Sequence, residues 1–223
     1  MELRSRLGEE VLILDGAMGT QIQATRIPER SWRGKRGCNE ILNLTAPEVI
    51  RGIHAAYFAA GSDAVETNTF GASGLVLAEY GLAGQTREIN RAAALLAREA
   101  VRGASGKARY VLGSLGPGTK LPSLGQVSFD ELRESYLPQL EGLLEGGVDG
   151  IIVETCQDPL QIKAVLDAFR AVGGEDPEPV LYVSFTIETT GSMLVGTSIP
   201  AVVAALEAYP IDILGLNCAL GPT

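Results

Sequence analysis

Three observations predict an α/β protein built on a parallel β-sheet. Short apolar runs rich in β-branched residues recur along the 223 residues, amphipathic helical patterns separate these runs, and polar residues follow each run directly. Strands buried on both faces read as continuous apolar runs, and strands that alternate with helices pair in parallel through right-handed crossovers. The six predicted strands cover residues 11–14, 64–67, 110–113, 151–153, 180–187 and 213–216.

The first long helix is predicted from the spacing of its apolar residues. Ile50, Ile53, Tyr57 and Phe58 recur at i, i+3, i+7 and i+8, which places them on one buried helix face, and Gly61 ends the pattern. Capping boxes, in which a side chain at the helix start and one three residues later bind each other's backbone N–H groups, predict three helix starts. These pairs are Thr45 with Glu48, Ser128 with Glu131, and Asp158 with Gln161.

Periodicity alone does not separate an open doubly wound sheet from a closed (β/α)8 barrel, because both alternate strand and helix. The polar residues are more informative, because the loops after the strands of a barrel converge on one face and build the active site there. The polar groups that follow predicted strands are Asp15, residues 66–69, residues 114–119, Glu154 with Thr155, residues 188–190, and Asn217 with Cys218.

The domain organisation is predicted to be a single unit over residues 1–223. Only six strand-helix units are present, and the sequence stops directly after the sixth strand. If the fold is a barrel, we expect this polypeptide to be a barrel truncated after strand six, without about the last quarter of the fold.

Composition excludes several classes of partner. The chain is 46% hydrophobic and 20% charged with a net charge of −9, and its longest basic cluster is Arg33, Lys35 and Arg36. Nucleic acid and anionic membrane are therefore not expected partners. No apolar run approaches the ~20 residues of a membrane-spanning helix, and the amino terminus does not resemble a signal peptide. We expect a cytoplasmic protein.

Several familiar mechanisms lack their residues. The four lysines lie in loops or on a helix rather than at strand ends, which disfavours a Schiff-base enzyme, and neither a Gly-x-Ser-x-Gly nor a His-Glu-x-x-His motif occurs. His54, the one histidine, lies within the first amphipathic helix. We interpret His54 as a structural or surface residue.

The three cysteines are odd in number and lie far apart, so free thiols or metal ligands are expected rather than disulfides. Cys218 follows the sixth strand and is a candidate zinc ligand or nucleophile, because thiolate is a favoured ligand of zinc. The alternative is a small buried apolar residue. A zinc site made of Cys38, Cys156 and Cys218 is weakly supported, because Cys38 lies in a long irregular loop.

Two carboxylates at predicted strand ends could bind an ammonium group or act as acid and base. Asp15 precedes Gly16 and could equally be a turn residue. Glu154 ends a buried strand, where an unpaired carboxylate costs several kcal/mol, and this favours a functional role.

Five motifs, in order over nearly the whole chain, resemble the homocysteine S-methyltransferase family, and most closely its cobalamin-dependent members. The motifs are residues 14–20 (Leu-Asp-Gly-Ala-Met-Gly-Thr), 66–71 (Glu-Thr-Asn-Thr-Phe-Gly), 113–117 (Gly-Ser-Leu-Gly-Pro), 153–155 (Val-Glu-Thr) and 215–222 (Gly-Leu-Asn-Cys-Ala-Leu-Gly-Pro). The resemblance implies a (β/α)8 TIM barrel, of which this chain has about the first six units.

The resemblance also implies roles for single residues. Asp15 and Glu154 would bind the amino group of homocysteine, and the turn formed by Thr67, Asn68 and Thr69 would help to hold its carboxylate. Zinc would be held by three cysteines, of which Cys218 is one. The other two form an adjacent pair after strand eight, and this sequence ends before that pair.

The expected reaction is the zinc-dependent transfer of a methyl group from methylcobalamin to the thiol of homocysteine, which gives methionine. Folate-binding and cobalamin-binding modules of the same enzyme would be partners, and this chain alone would be inactive. Relatives that use betaine or S-methylmethionine as donor stay open. A non-catalytic truncated barrel that serves as a binding module is the alternative from another class.

Overall fold

A computed structural model describes residues 2–173 and 178–219 as a parallel five-stranded sheet with its long helices packed on one face. The strand order is β1-β2-β3-β4-β5, the order of the chain. The strands are β1 (Ala64–Glu66), β2 (Tyr110–Leu115), β3 (Gly150–Cys156), β4 (Val180–Phe185) and β5 (Ile213–Leu216).

Helices precede and separate the strands. The α-helices are α1 (Leu3–Arg6), α2 (Met18–Ala24), α3 (Leu42–Thr45), α4 (Pro47–Ala60), α5 (Gly74–Glu79), α6 (Thr86–Gly103), α7 (Phe129–Glu145), α8 (Pro159–Val172) and α9 (Ile199–Leu206). Short 3-10 helices cover Glu29–Trp32, Asn39–Ile41, Ala83–Gln85 and Pro122–Leu124. Among the described residues, no helix combines the length and the apolar character needed to span a bilayer.

Both faces of the sheet are apolar, as expected for a parallel sheet. Residues such as Val65, Val111 and Ile151 point outward and pack against α6, α7 and α8, and successive long helices contact one another in chain order. The inward-facing residues form a separate cluster with Leu3, Leu12 and other residues of the amino-terminal segment. A doubly wound sheet reverses its strand order and carries helices on both faces. The described sheet shows no such reversal, which excludes the doubly wound sheet. Its strand order agrees with the TIM barrel that the family resemblance implies.

The first predicted strand, residues 11–14, is not a strand of the sheet, so the described residues contain five strands rather than six. The segment lies beside β1, where Ile13 O accepts hydrogen bonds from the N–H groups of Asp63 and Ala64. Ile13 N–H donates to the carboxylate of Asp63 (2.9 Å) instead of to a backbone carbonyl. The backbone ladder is not extended further, because the N–H of Glu66 donates to the Asp15 carboxylate instead of to a backbone carbonyl, and Val11 at the start of the segment is 88% exposed.

The predicted first helix is confirmed as α4, with Ile50, Ile53 and Phe58 buried and Gly61 at its end in the left-handed region (φ 114°). The capping boxes of α7 and α8 are confirmed. The capping box predicted at Thr45 is wrong. Thr45 ends α3, its hydroxyl donates to Ile41 O (3.0 Å), and α4 begins at a proline, whose fixed φ suits the first helical position.

Three aspartates at the amino ends of the strands, called here the amino-end aspartates, share one arrangement. Asp63, Asp149 and Asp212 each precede an inward-facing strand residue, and each carboxylate accepts the N–H of the neighbouring segment. The donors are the N–H groups of Ile13 (2.9 Å), Val111 (2.7 Å) and Leu181 (2.8 Å), respectively. The N–H of each aspartate in turn donates to the carbonyl of the same donor residue.

Each amino-end aspartate also pairs with a basic side chain, and Asp63 pairs with two. Arg6 and Lys107 lie 3.3 Å and 2.5 Å from Asp63 Oδ1. Arg98 pairs with Asp149 (2.7 Å), and Arg4 pairs with Asp212 (3.0 Å). These ion pairs tie the first helix and the α6 region to the base of the sheet.

Candidate active site

The candidate site is built from inward-facing residues at the carboxyl ends of the strands. Side chains alternate along a strand, so the positions two residues beyond the inward apolar residues face the same way. Ala64 is followed by Glu66, Leu112 by Ser114, and Ile152 by Glu154. The same alternation places Ser184 after Tyr182 and Asn217 after Gly215. Below these polar positions the inward face is apolar, which keeps the polar groups in one layer.

Glu66, Ser114, Glu154 and Asn217 line a cavity of about 500 Å³ that opens at the carboxyl ends of the strands. The lining comes from the segment after residue 14, the loop around residue 40, the turn after β1, and the ends of β2, β3 and β5. Among the described residues, this lining contains four acidic side chains and no basic side chain. The acidic side chains are those of Asp15, Glu40, Glu66 and Glu154.

Asp15, Glu66 and Glu154 form a group called here the carboxylate cluster. Both carboxylate oxygens of Asp15 accept the N–H of Glu66, at 3.1 and 3.2 Å. Burial, with a contribution from Glu154, raises the pKa of Asp15 to about 7. Burial and the neighbouring charges of Glu154 and Asp15 raise the pKa of Glu66 to about 9. The cluster therefore holds protons at neutral pH that separate carboxylates would release, and it favours a cationic ligand.

A β-bulge at the end of β3 positions Glu154. The pairing with β4 runs from Val153 opposite Val183 to Cys156 opposite Phe185, so one extra residue is inserted in β3. Thr155, inside the bulge, lies in the left-handed region (φ 59°). The Glu154 carboxylate accepts a hydrogen bond from Ser114 Oγ (2.6 Å) across the neighbouring strand.

The turn of Thr67, Asn68 and Thr69 lines the cavity, but its side chains are bound within the protein. Thr69 Oγ1 donates to Ser114 O (2.7 Å), and Thr67 Oγ1 lies 2.6 Å from Thr69 Oγ1 and accepts the Ser114 N–H. Asn68 Nδ2 donates to Asn39 O and to the side chain of Asn43. These hydrogen bonds fix the shape of the turn.

Glu40 was missed from the sequence because it lies in an irregular loop where no periodicity marks an inward position. Its Oε1 accepts the N–H of Gly71 (2.8 Å), and burial raises the pKa of this carboxyl group. Glu66, Ser114 and Asn217 stood in the quoted motifs without an assigned role. Their signal was the two-residue alternation along each strand, which places them on the same face as the buried apolar residues.

The three cysteines lie in different environments. Cys218 is exposed and in the left-handed region (φ 51°), and its Sγ lies 3.7 Å from Asn217 Nδ2. Cys38 and Cys156 are buried, and burial raises the pKa of both thiols, that of Cys38 to about 11. The sequence motif that contains Cys218 extends to residue 222, and its residues 220–222 lie outside the described residues.

A catalytic zinc ion needs three protein ligands. Over residues 2–173 and 178–219, no group of three His, Cys, Asp or Glu side chains is arranged to hold a metal ion. The zinc site of three cysteines considered from the sequence is therefore not formed by these residues. Cys218, as an exposed thiol, suits one ligand position and leaves the others to be supplied.

His54 has a structural environment, as expected. It lies on the buried face of α4, and burial lowers its pKa to about 4. Neither ring nitrogen has a hydrogen-bond partner in the described part of the chain. The imidazole is therefore neutral at physiological pH, and it is not among the residues that line the cavity.

Comparisons with known proteins agree with this geometry. A family model described as homocysteine S-methyltransferase matches residues 12–223. The chain is 46% identical over 224 residues to a protein named methionine synthase from Mycobacterium tuberculosis, and 45% identical to one of the same name from Mycobacterium leprae. Each alignment covers 99% of this chain but only 19% of the relative, so the chain spans about a fifth of their length.

Solved structures of the homocysteine methyltransferase MmuM from Escherichia coli share the fold. The oxidized form matches with a TM-score of 0.79 and 28% identity, covering 97% of this chain and 76% of that chain. A metallated form matches equally well, with a TM-score of 0.79, 27% identity, and coverage of 97% and 77%. The five motifs, the site at the strand ends and the match over residues 12–223 lead to one conclusion: the chain belongs to the homocysteine S-methyltransferase family.

Proposed function

We propose that this chain is the homocysteine-binding part of an enzyme that transfers a methyl group to the thiol of homocysteine and so forms methionine. One observation carries the proposal: a cavity lined by four carboxyl groups and no basic side chain lies beside an exposed thiol. Homocysteine offers a cationic ammonium group to the carboxylates and a thiol to the Cys218 side. The family match and the names of the relatives support the same reaction.

In this proposal Asp15 and Glu154 bind the substrate ammonium group. Both belong to the carboxylate cluster, where burial and, to a lesser extent, mutual repulsion raise the pKa of Asp15 and Glu66, and a positive charge offsets both effects. The turn of Thr67, Asn68 and Thr69 holds the substrate carboxylate through the backbone N–H of Asn68, because its side chains are engaged in internal hydrogen bonds. The N–H groups of Thr67 and Thr69 are also engaged, with Leu112 O and Thr67 O.

Zinc is the proposed metal, with Cys218 as one thiolate ligand and the remaining ligands supplied from outside the described residues. When bound, zinc supplies a means of holding the substrate thiol as a thiolate at neutral pH. The described residues do the rest of the positioning. Cys218 lies next to Asn217 at the cavity edge, so a substrate anchored at Glu154 has its thiol directed toward this end.

Methylcobalamin is the proposed methyl donor, bound by another module of the same enzyme. The relatives named methionine synthase are about five times longer than this chain, which leaves room for cobalamin-binding and folate-binding modules. Betaine and S-methylmethionine are the competing donors, and a metal-free binding module is the competing class of function. The experiment below includes these as outcomes.

We also infer that the sheet is part of a closed (β/α)8 barrel of which this chain supplies the first six units, with residues 11–14 next to β1 as the first. The two edges of the sheet carry exposed apolar residues, Ile13 at one edge and Leu214 and Leu216 at the other. Exposed sheet edges pair readily with further strands. Amide hydrogen exchange at residues 11–14 and 213–216 should therefore be slower in the full-length protein than in the 223-residue chain.

The reaction is tested with Cys218→Ala in the full-length protein, with Cys38→Ala as the matched control. We expect the Cys218 variant to lose zinc and methyl transfer together, and the Cys38 variant to keep both, because Cys38 is buried behind Glu40 and does not itself line the cavity. Zinc content and methyl transfer from methylcobalamin, betaine and S-methylmethionine are measured. Transfer only from another donor would correct the donor, and absence of zinc and transfer in the unaltered protein would support the binding module.

A further inference from the structure

The side chain of Asn217 connects three strands of the sheet. Its Oδ1 accepts hydrogen bonds from the Thr155 N–H on β3 (3.0 Å) and from Ser184 Oγ on β4 (3.0 Å), and its Nδ2 donates to Thr155 Oγ1 (2.8 Å). Asn217 itself directly follows β5. Because β4 lies between β3 and β5, this amide reaches across an intervening strand to the bulge.

The orientation of the amide follows from its partners. A backbone N–H can only donate, so the atom that faces Thr155 N must be the carbonyl oxygen, and the amide nitrogen then faces Thr155 Oγ1. Ser184 Oγ donates to the same oxygen. Three hydrogen bonds thus leave one orientation for the Asn217 side chain.

This amide replaces a backbone partner at the bulge. The extra residue in β3 removes the Thr155 N–H from the strand ladder, and Thr155 adopts a left-handed conformation that is costly for a β-branched residue. Asn217 satisfies both the N–H and the hydroxyl of Thr155. The bulge directly follows Glu154, whose side chain lines the cavity.

The second hydrogen of Asn217 Nδ2 faces two acceptors of the candidate site. Glu154 Oε2 lies 3.4 Å and Cys218 Sγ lies 3.7 Å from this nitrogen. The backbone of Asn217 is held independently, by its N–H on Phe185 O (3.3 Å) and by Thr186 Oγ1 on its carbonyl (3.1 Å). Cys218, whose backbone is in the left-handed region, directly follows this hydrogen-bonded backbone.

We propose that Asn217 is a positioning residue that holds the Glu154 carboxylate and the Cys218 thiol in register, so that one substrate molecule reaches both. The proposal rests on the proposed function, which assigns Glu154 to the ammonium group and Cys218 to the metal. Neither ligand contacts Asn217 in this assignment. The residue acts through the bulge at Thr155 and through its shared Nδ2 hydrogen.

The test is Asn217→Asp in the full-length protein. Aspartate keeps the two acceptor contacts, loses every Nδ2 donor contact, and places a negative charge close to Glu154. Outer-shell partners of a metal site contribute roughly 10- to 100-fold to affinity. We expect losses of that order in two separate constants, the Kd of zinc from chelator competition and the Kd of homocysteine from calorimetry.

Thr186→Val is the matched control, because it removes a hydrogen bond to the Asn217 carbonyl and leaves the amide contacts intact. It should lower the melting temperature without changing either Kd. Ser184→Ala, which frees only one contact of Oδ1, should weaken both ligands to a smaller extent and decides the question if Asn217→Asp does not fold.

The outcomes separate the two proposals. Folded variants at Asn217 or Ser184 with both Kd values unchanged would overturn the role of Asn217 and leave the proposed function intact. Loss of both ligands in Thr186→Val as well would show a merely structural effect and would also overturn the role. If the unaltered protein binds neither zinc nor homocysteine, the proposed function fails, and the role of Asn217 fails with it.

Discussion

The amino-end aspartates each face a basic side chain, whereas the members of the carboxylate cluster at the opposite end of the same sheet face one another. At the amino ends, burial opposes the ionisation of Asp63, but hydrogen bonds from Lys107, the Ile13 N–H and Arg6 outweigh it and lower its pKa. At the carboxyl ends, burial and like charges raise the pKa of Asp15 and Glu66.

The difference shows that carboxylates at the two ends of one sheet serve different purposes, stability at the amino ends and ligand binding at the carboxyl ends. An aspartate at the amino end completes a hydrogen-bonded, charge-balanced pair and needs no ligand. The carboxylate cluster is incomplete, because its described surroundings contain serine, asparagine and threonine side chains and no cation. Buried carboxyl groups that repel one another suit a positively charged ligand. Substitutions at the two ends should therefore have opposite consequences.

The largest effect is expected for Asp63→Ala. Asp63 is 2% exposed, and its removal leaves the buried Arg6 with only the half-exposed Glu10 as a carboxylate partner and breaks the bond to Ile13 N–H. Loss of one partner of a buried ion pair costs about 3 to 5 kcal/mol. Urea unfolding followed by the fluorescence of Trp32 measures this loss. A change below 1 kcal/mol would show that the ion pair does not hold the base of the sheet.

The next effect compares the two ends of one strand, with Glu154→Gln after β3 and Asp149→Ala before it. Glu154→Gln should weaken homocysteine binding by about 2 to 5 kcal/mol, because it removes a buried charge partner of the ammonium group, and should leave zinc content unchanged. Asp149→Ala should lower the free energy of unfolding by about 1.5 to 3 kcal/mol, the range for hydrogen bonds to charged groups.

The binding measurement is calorimetry with homocysteine, and the stability measurement is urea unfolding, each made on both variants. The comparison breaks if the two variants exchange effects, so that Glu154→Gln loses stability and Asp149→Ala loses homocysteine affinity. Loss of zinc in Glu154→Gln would instead show that Glu154 is a metal ligand rather than a substrate anchor.

The smallest effect is a slope of stability with pH, at most about 1.4 kcal/mol for each pH unit. The pKa of Glu66 is raised from 4.5 to about 9, so the folded protein binds a proton that the unfolded chain releases, and Glu66 lowers stability progressively as pH rises between these values. Glu66→Gln should match the unaltered protein near pH 4 and become relatively more stable up to about pH 9. Free energies of unfolding at several pH values test this.

Glu131 provides a control of opposite sign. Its pKa is lowered by hydrogen bonds from Ser128, so its stabilising contribution is present above the ordinary pKa of 4.5 and is lost as pH falls. Glu131→Gln should therefore become relatively less stable as pH rises. The same slope in both variants would contradict the difference between the site and the helix cap.

The sequence predicted the elements whose signals are local. The apolar runs of β1 to β5, the α4 face and the capping boxes of α7 and α8 could be predicted because each depends on neighbouring residues. Residues 11–14 read as a strand, but whether an apolar run joins a ladder depends on a distant partner. At this position the Asp15 carboxylate accepts the Glu66 N–H that would otherwise extend the backbone ladder.

The candidate site was predictable in part for the same reason. Asp15 and Glu154 could be identified at strand ends, and the structure brings both into one cavity. Glu40 could not be found, because its loop has no periodicity. The link from Asn217 to Thr155 spans 62 residues and an intervening strand, so it depends on the strand order and on a bulge that the sequence does not mark.

The most direct test of the account is a comparison of homocysteine with 4-mercaptobutanoate, which has the same thiol and carboxylate but no ammonium group. Binding of each to the full-length protein is measured by calorimetry at neutral pH. The account predicts that the analogue binds at least about 30-fold more weakly, the equivalent of roughly 2 kcal/mol from the lost ammonium contact with Asp15 and Glu154. Equal affinity for the two compounds would contradict the claim that the carboxylate cluster is the substrate anchor.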